Sequence, residues 1–318
     1  MDCPACHEEI NSEPLNSYKG YQFYHCSACD LMFWYPMKSP GSEWYEASLV
    51  PTPFRPVWLA HWGQRQFLKV MPARGGRLLD IGCGLGDFLF KAQKAGYSVT
   101  GIDFSPNCIE IASRRFGIKN LYPMTLEEFA TEQPDNRYDV ITFFEVLEHL
   151  DNVTNFLRQV KTLLKPGGYI ACSVPNRAKW RFPSIIEACD YPPNHFTHWS
   201  PRSLSNLFGK YGFSILTLRP QPLISYDHGW FYLVSTKLGM QQMGSLIVRR
   251  LNPGGIAPAS APSGAAPNTA SGTVIKWGMS FYVKIVLPTL GVLTLPLWVS
   301  LRRQGSVIYL LATMKETK

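Results

Sequence analysis

Residues 78–86 read Leu78-Leu79-Asp80-Ile81-Gly82-Cys83-Gly84-Leu85-Gly86. Apolar residues lead to an acid, and glycine then recurs at every second position. The pattern predicts a strand over Arg77–Ile81, a tight turn, and a helix over Asp87–Ala95. Glycines let the backbone turn sharply and let a ligand approach the main chain. The start of the helix offers free N–H groups at the same place. In a dinucleotide-binding turn the spacing is Gly-x-Gly-x-x-Gly, and those groups meet a pyrophosphate. Here the third glycine comes one residue early, and Asp80 stands two residues before the first. A carboxylate there repels a pyrophosphate and suits a cationic amino-acid ligand. The turn therefore favours S-adenosylmethionine (SAM) over NAD, with Asp80, Gly82, Cys83, Gly84 and Gly86 as candidate contacts.

Downstream, short apolar runs alternate with amphipathic stretches. Strands are predicted over Ser98–Ile102, Tyr138–Phe144, Tyr169–Val174 and Phe213–Leu218, and a last one over Ser306–Met314. Helices are predicted over Pro106–Phe116, with Ser105 as N-cap, over Val153–Leu164 and over Ser203–Tyr211. Lys165-Pro166-Gly167-Gly168 ends the second of these helices. This alternation implies an α/β fold with a mostly parallel sheet and helices on both faces. Asp103 falls at the tip of the second strand, about twenty residues past the turn, where an acid accepts the ribose hydroxyls of a nucleoside. Phe104 stands beside it.

Residues 77–218 resemble class I SAM-dependent methyltransferases, through LLDIGCGLGDF, VTGIDFSP, YDVITFFEVLEHL and LLKPGGYIACSVPN. The resemblance implies a Rossmann-like seven-stranded sheet. In that family the glycine turn meets the methionine portion of SAM and the acid matching Asp103 holds the ribose. Met124-Thr125-Leu126-Glu127 falls where the adenine is lined, giving Thr125 and Leu126, and Glu145 falls beside the methionine end. The helix Pro56–Met71 and the preceding Trp44-Tyr45 fall in the lid region.

Methyl transfer needs an acceptor aligned with the donor and, often, a base. Glu145, Glu148 and His149 are spaced i, i+3, i+4, which would place them on one helical face. His195 and His198 follow the fifth strand at the rim of the same cleft. Glu145, His149, His195 and His198 are thus the candidate catalytic groups. Carboxylates and imidazoles in this number also suit a second divalent cation, and F-E-x-x-E-H resembles the metal motif of small-RNA 2′-O-methyltransferases and of the ubiquinone-pathway O-methyltransferase. The plainer reading makes His149 a helix cap and His195 or His198 a base or acceptor contact.

Cys3-x2-Cys6 and Cys26-x2-Cys29 are separated by nineteen residues. That is the spacing of two knuckles closing one tetrahedral site, so residues 1–36 read as a zinc ribbon with structural Zn2+ on Cys3, Cys6, Cys26 and Cys29. Two disulfides are the alternative, but Met1–Ile10 lacks the basic start and apolar core of a signal peptide. The expected location is the cytoplasm.

The chain has 318 residues and a net charge of +8. Ten Lys/Arg and two acids lie from Arg219 onward, leaving twenty-one of each sign before it. The basic excess accompanies Ile285–Leu301, which is seventeen residues without charge. That is short for a membrane span, which needs about 20 residues, and Pro288 and Pro296 interrupt it. Peripheral contact with the inner face of the membrane and packing within the protein both fit. Residues 252–273, rich in Pro, Gly, Ala and Ser, read as a linker within an insertion spanning 224–305, with 274–303 as its apolar part. The remaining divisions are a lid region at 37–76, a core at 77–223 and the last core strand at 306–318.

The sequence-level conclusion is a methyltransferase moving a methyl group from SAM to an oxygen or carbon of a small-molecule, sugar or lipid-linked acceptor. Few basic residues mark the ribbon, which disfavours nucleic acid as a partner. A non-catalytic SAM-binding or zinc-ribbon interaction protein is the alternative.

Overall fold

The structure is a computed structural model. It describes residues 1–41, 44, 62–71, 75–177, 191–221 and 307–315. The expected linker at 252–273 and the apolar stretch at 274–303 lie outside the described residues, as does the first part of the predicted helix Pro56–Met71. No described helix is long and apolar enough to cross a membrane.

In chain order the elements are β1 (Asn16–Tyr18), β2 (Tyr21–His25), β3 (Met32–Tyr35), α1 (Trp62–Val70), β4 (Arg77–Ile81), α2 (Asp87–Lys94) and β5 (Ser98–Asp103). There follow α3 (Pro106–Phe116), β6 (Leu121–Pro123), α4 (Leu126–Glu132), β7 (Tyr138–Phe144), a 3-10 turn at Leu147–His149 and α5 (Val153–Leu163). The chain closes with β8 (Leu164–Pro175), β9 (Thr197–His198), α6 (Pro201–Lys210), β10 (Phe213–Pro220) and β11 (Val307–Met314).

Among the described residues, seven strands form one sheet in the order β10-β11-β8-β7-β4-β5-β6. β4 pairs in parallel with β5 and β7, and β11 lies antiparallel between β8 and β10. This is the Rossmann-like seven-stranded arrangement that the resemblance implies, with the last strand inserted between β8 and β10. Successive residues of a strand face opposite sides, and here both sides are apolar. Leu79 and Ile141 pack into one buried cluster, while Leu78 and Val140 pack into the other, with Phe67 of α1 and Phe88 of α2. A sheet buried on both faces needs a helical layer on each.

Local signals set the helix ends. Ser105 accepts the Cys108 N–H at 3.4 Å, Pro106 opens α3, and Gly117 ends it in the left-handed region. Two expectations differ in detail. Lys165–Gly168 does not separate helix from strand: β8 begins at Leu164, opposite Tyr138, and the ladder then shifts to pair Val140 with Tyr169. The ribbon does not close on itself within residues 1–36. Its sheet runs β1-β2-β3-β9, taking its fourth strand from Thr197–His198 after the core's own β8. Met32 pairs with His198 and Phe33 with Thr197. Met1–Pro222 accordingly falls in one compact unit together with the last strand.

Candidate active site

The carboxyl ends of parallel strands, where helices begin, form the cleft of such a sheet. β4 and β5 meet there. Asp80 is 3% exposed, and the parallel register sets it between Thr142 of β7 and Gly101 of β5. The Thr142 hydroxyl donates to Asp80 Oδ1 at 2.6 Å. Burial pushes the Asp80 carboxyl up to about 8; the Thr142 bond opposes this and the nearby Asp103 adds to it.

Gly82, Gly84 and Gly86 all have positive φ, at 71°, 51° and 77°. A Cβ on Gly82 would press on Val146 and one on Gly86 on Ala112, whereas one on Gly84 would meet nothing within 4 Å. The turn is therefore packed at its two ends and open at its middle. The N-cap of α2 is Gly86, with no side-chain cap hydrogen bond, a helix start of the kind that can receive an anion.

Asp103 closes the turn from the other strand. Its Oδ2 accepts the Gly84 N–H at 2.8 Å and its Oδ1 accepts the Ser105 N–H at 3.0 Å. Burial raises its pKa in spite of these bonds. Cys83 is buried beside both acids, and burial pushes its thiol up. Phe104 is 39% exposed at the rim. Thr125 caps α4, accepting the Glu128 N–H at 3.2 Å while Glu128 reaches back to the Thr125 N–H at 2.7 Å. Leu126 is buried in the core. Of the expected adenine stretch, Thr125 is thus engaged in capping α4 and Leu126 in the core.

The expectation of one helical face bearing Glu145, Glu148 and His149 is not met. Glu145 has a φ of 57°, which interrupts helical geometry, and only a 3-10 turn follows it. Glu145 turns back to β8, where its Oε1 accepts the Ser173 hydroxyl at 2.7 Å and its N–H reaches the Ser173 carbonyl at 2.8 Å. Glu148, His149 and His195 instead come together, with their ligand atoms all within 4.8 Å of one another. His149 Nδ1 lies 2.7 Å from the Asn194 carbonyl, so it must donate, and the neutral ring then carries its lone pair on Nε2. The His149 and His195 rings meet edge to face at 4.8 Å. His198 is placed differently. It is 9% exposed in β9, against Phe23 of the ribbon, and is not a member of the cluster.

Cys3, Cys6, Cys26 and Cys29 form a second cluster. Cys3 and Cys29 sulfurs are 3.6 Å apart and those of Cys6 and Cys26 are 3.5 Å apart. Tetrahedral zinc with bonds of about 2.3 Å sets sulfur edges of about 3.8 Å, while a disulfide needs about 2.05 Å. The donor set fits the metal.

A family model described as a methyltransferase domain matches residues 54–218. The chain belongs to this family. Ubiquinone biosynthesis O-methyltransferase of Bordetella bronchiseptica is 39% identical over 121 residues, covering 37% of this chain and 50% of that one. Its counterpart from Xanthomonas euvesicatoria pv. vesicatoria is 32% identical over 158 residues, or 48% and 64%. The chain thus spans about half to two-thirds of the length of these curated relatives. Among solved structures, a SAM-dependent methyltransferase from Archaeoglobus fulgidus aligns over 79% of this chain and 92% of its own, at 18% identity and a TM-score of 0.46. Within the methyltransferase domain, the contributions of Thr142, Ser173 and Asn194 escape sequence reading. Each acts through a partner at least 28 residues away, and no local spacing marks it.

Proposed function

We propose that the protein is a SAM-dependent methyltransferase acting on an oxygen or carbon of a small-molecule, sugar or lipid-linked acceptor. The observation that carries this reading is the pair of buried carboxylates, Asp80 and Asp103, flanking a glycine turn that is open at Gly84. SAM supplies a methyl already activated on a sulfonium. Asp80 favours a cationic amino-acid group, the N–H groups at the α2 start meet its carboxylate, and Asp103 receives the ribose hydroxyls. On the acceptor side, His149 and His195 are the groups able to take a proton, and His149 is held in the tautomer that leaves Nε2 basic. Most of the rate gain then comes from alignment.

The decisive experiment is product profiling with isotopically labelled SAM on cell extract, alongside titration of SAM and NAD. Label transferred into a new product establishes the enzyme and names the acceptor. SAM binding without any transfer favours the non-catalytic alternative, and NAD binding in place of SAM overturns both.

A second reading is favoured by the same tautomer. An imidazole that donates Nδ1–H to a backbone carbonyl presents Nε2 as a metal ligand, and Glu148 and His195 are at hand. A divalent ion held there would lower the pKa of an acceptor hydroxyl. Full turnover after chelation, unimproved by magnesium, manganese or zinc, would eliminate this reading.

The ribbon cysteines are proposed to hold one structural zinc, with no open coordination position.

A further inference from the structure

The cysteine ribbon does more than pair a strand with the core. Its second knuckle, Cys26-x2-Cys29, ends at Asp30, whose φ is 68° and whose N–H bonds to the Cys26 carbonyl at 2.8 Å. Aspartate tolerates this left-handed turn, but its side chain has a second task. Asp30 Oδ1 accepts Arg177 Nη2 at 2.5 Å and lies 3.1 Å from His25 Nε2. Asp30 Oδ2 accepts the Ser200 hydroxyl at 2.7 Å. The Asp30 carbonyl accepts Arg177 Nη1 at 2.8 Å.

Arg177 and Ser200 belong to two segments that Asp30 ties together. Arg177 follows β8, and Ser200 opens α6. Their neighbours are themselves tied, since Asn176 bridges Trp199 and the Arg177 N–H reaches the Trp199 carbonyl at 3.0 Å. Residues 191–199, which lead into Ser200, include His195. Next to it, the Phe196 carbonyl accepts the Trp34 N–H of β3 at 2.8 Å, and Phe33 pairs with Thr197. On the other side of His195, the Asn194 carbonyl accepts His149 Nδ1. The His195 segment is therefore held from two sides, by the ribbon through Trp34 and Phe33 and by the 3-10 turn through the Glu148 carbonyl, which accepts the Phe196 N–H at 2.7 Å, and the Leu147 carbonyl, which accepts the Thr197 hydroxyl at 3.1 Å.

We propose that the ribbon is the positioning device of the acceptor side of the cleft, with Asp30 as the latch that fixes the His195 segment against His149. This rests on the reading of His149 and His195 as the acceptor-side groups. The glycine turn and Asp103 belong to β4, β5 and the start of α2, whereas the side-chain hydrogen bonds of Asp30 go to Arg177, Ser200 and His25, none of which lies on those elements. SAM binding is therefore separable from latch function.

The test uses the full chain with 15N-labelled histidine. The wild type should show a His149 ring protonated at Nδ1 and a cross-peak between the His149 and His195 rings. Asp30→Asn keeps the left-handed turn but loses the charged pair with Arg177. It should retain zinc and keep SAM affinity within about twofold, as expected for distant independent sites, while the ring cross-peak is lost and the His195 signals shift. Arg177→Gln changes no residue of the knuckle and should give the same signature, so it carries the test if Asp30→Asn fails to fold. Unchanged ring signals in both variants would overturn the proposal. So would a fall in SAM affinity in step with the ring signals, which would mark general loosening. Neither readout needs a methyl acceptor, so failure of the latch is distinguishable from failure of the enzymatic reading.

Discussion

Replacing Asp80 with asparagine separates what this residue does for folding from what it does for the ligand. The side chain keeps its shape, and its oxygen can still accept the Thr142 hydroxyl. Only the ionisable proton is gone. In the wild type the folded carboxyl titrates near 8 instead of the usual 3.8. The native protein thus holds a proton that the unfolded chain has released, and stability falls as pH rises from about 4 to about 8, then levels off. Each unit of that interval withdraws about 1.4 kcal/mol, so the ceiling at pH 7 is about 4 kcal/mol, and Asp80→Asn should gain about 2–4 kcal/mol there. Urea unfolding at pH 5, 6, 7 and 8 should show the variant pulling ahead as pH rises.

The ligand should reverse the balance. A cation beside Asp80 favours the ionised form, so SAM binding to the wild type at pH 7 should release close to one proton, with affinity rising roughly tenfold from pH 6 to pH 7. Calorimetry in two buffers of different ionisation enthalpy measures the proton, and comparison with Asp80→Asn cancels the ligand's own titration. The variant should bind SAM more weakly and release no proton from this site. Parallel pH dependence of stability in the two proteins would show Asp80 to be ionised in the folded chain and refute the burial argument. Equal proton release would place the cation elsewhere.

Asp103→Ala should weaken SAM binding by at least one charge-assisted hydrogen bond, about 1.5–3 kcal/mol, with zinc retained; the loss includes loosening of the turn, because Asp103 also holds the Gly84 N–H. Unchanged affinity would remove the ribose assignment. Gly101→Ala should destabilise the fold by about 1–3 kcal/mol in urea, since its Cβ would stand 2.4 Å from Leu89 Cδ1 and 2.9 Å from Cys83 Sγ; an unmoved midpoint would show that α2 can shift. Metal analysis should find one zinc per chain, and Cys29→Ser should release it and lower the melting temperature. Zinc content that survives this substitution would argue against a four-sulfur site.

Several features were legible because their physics is local. A glycine turn is written in residues that must adopt positive φ, and strand and helix alternation is written in residues a few positions apart. Asp80, Asp103, the turn and the order of the core elements follow from such short-range rules, as does the pairing of two knuckles into one cysteine cluster. The acceptor side is different. Glu145 and His149 look like partners on one helix, yet a single left-handed residue sends Glu145 to Ser173 on β8. His195 and His198 are three residues apart, but one faces His149 while the other is locked into the ribbon sheet. Asp30 reads as a turn residue after a knuckle, and its contacts with Arg177 and Ser200 span 147 and 170 residues. The sequence alone determined the glycine turn and the two acids that flank it, because backbone conformation there dictates residue type. Tertiary structure decided which imidazoles and carboxylates meet, because that depends on strand pairing and packing between segments far apart in the chain.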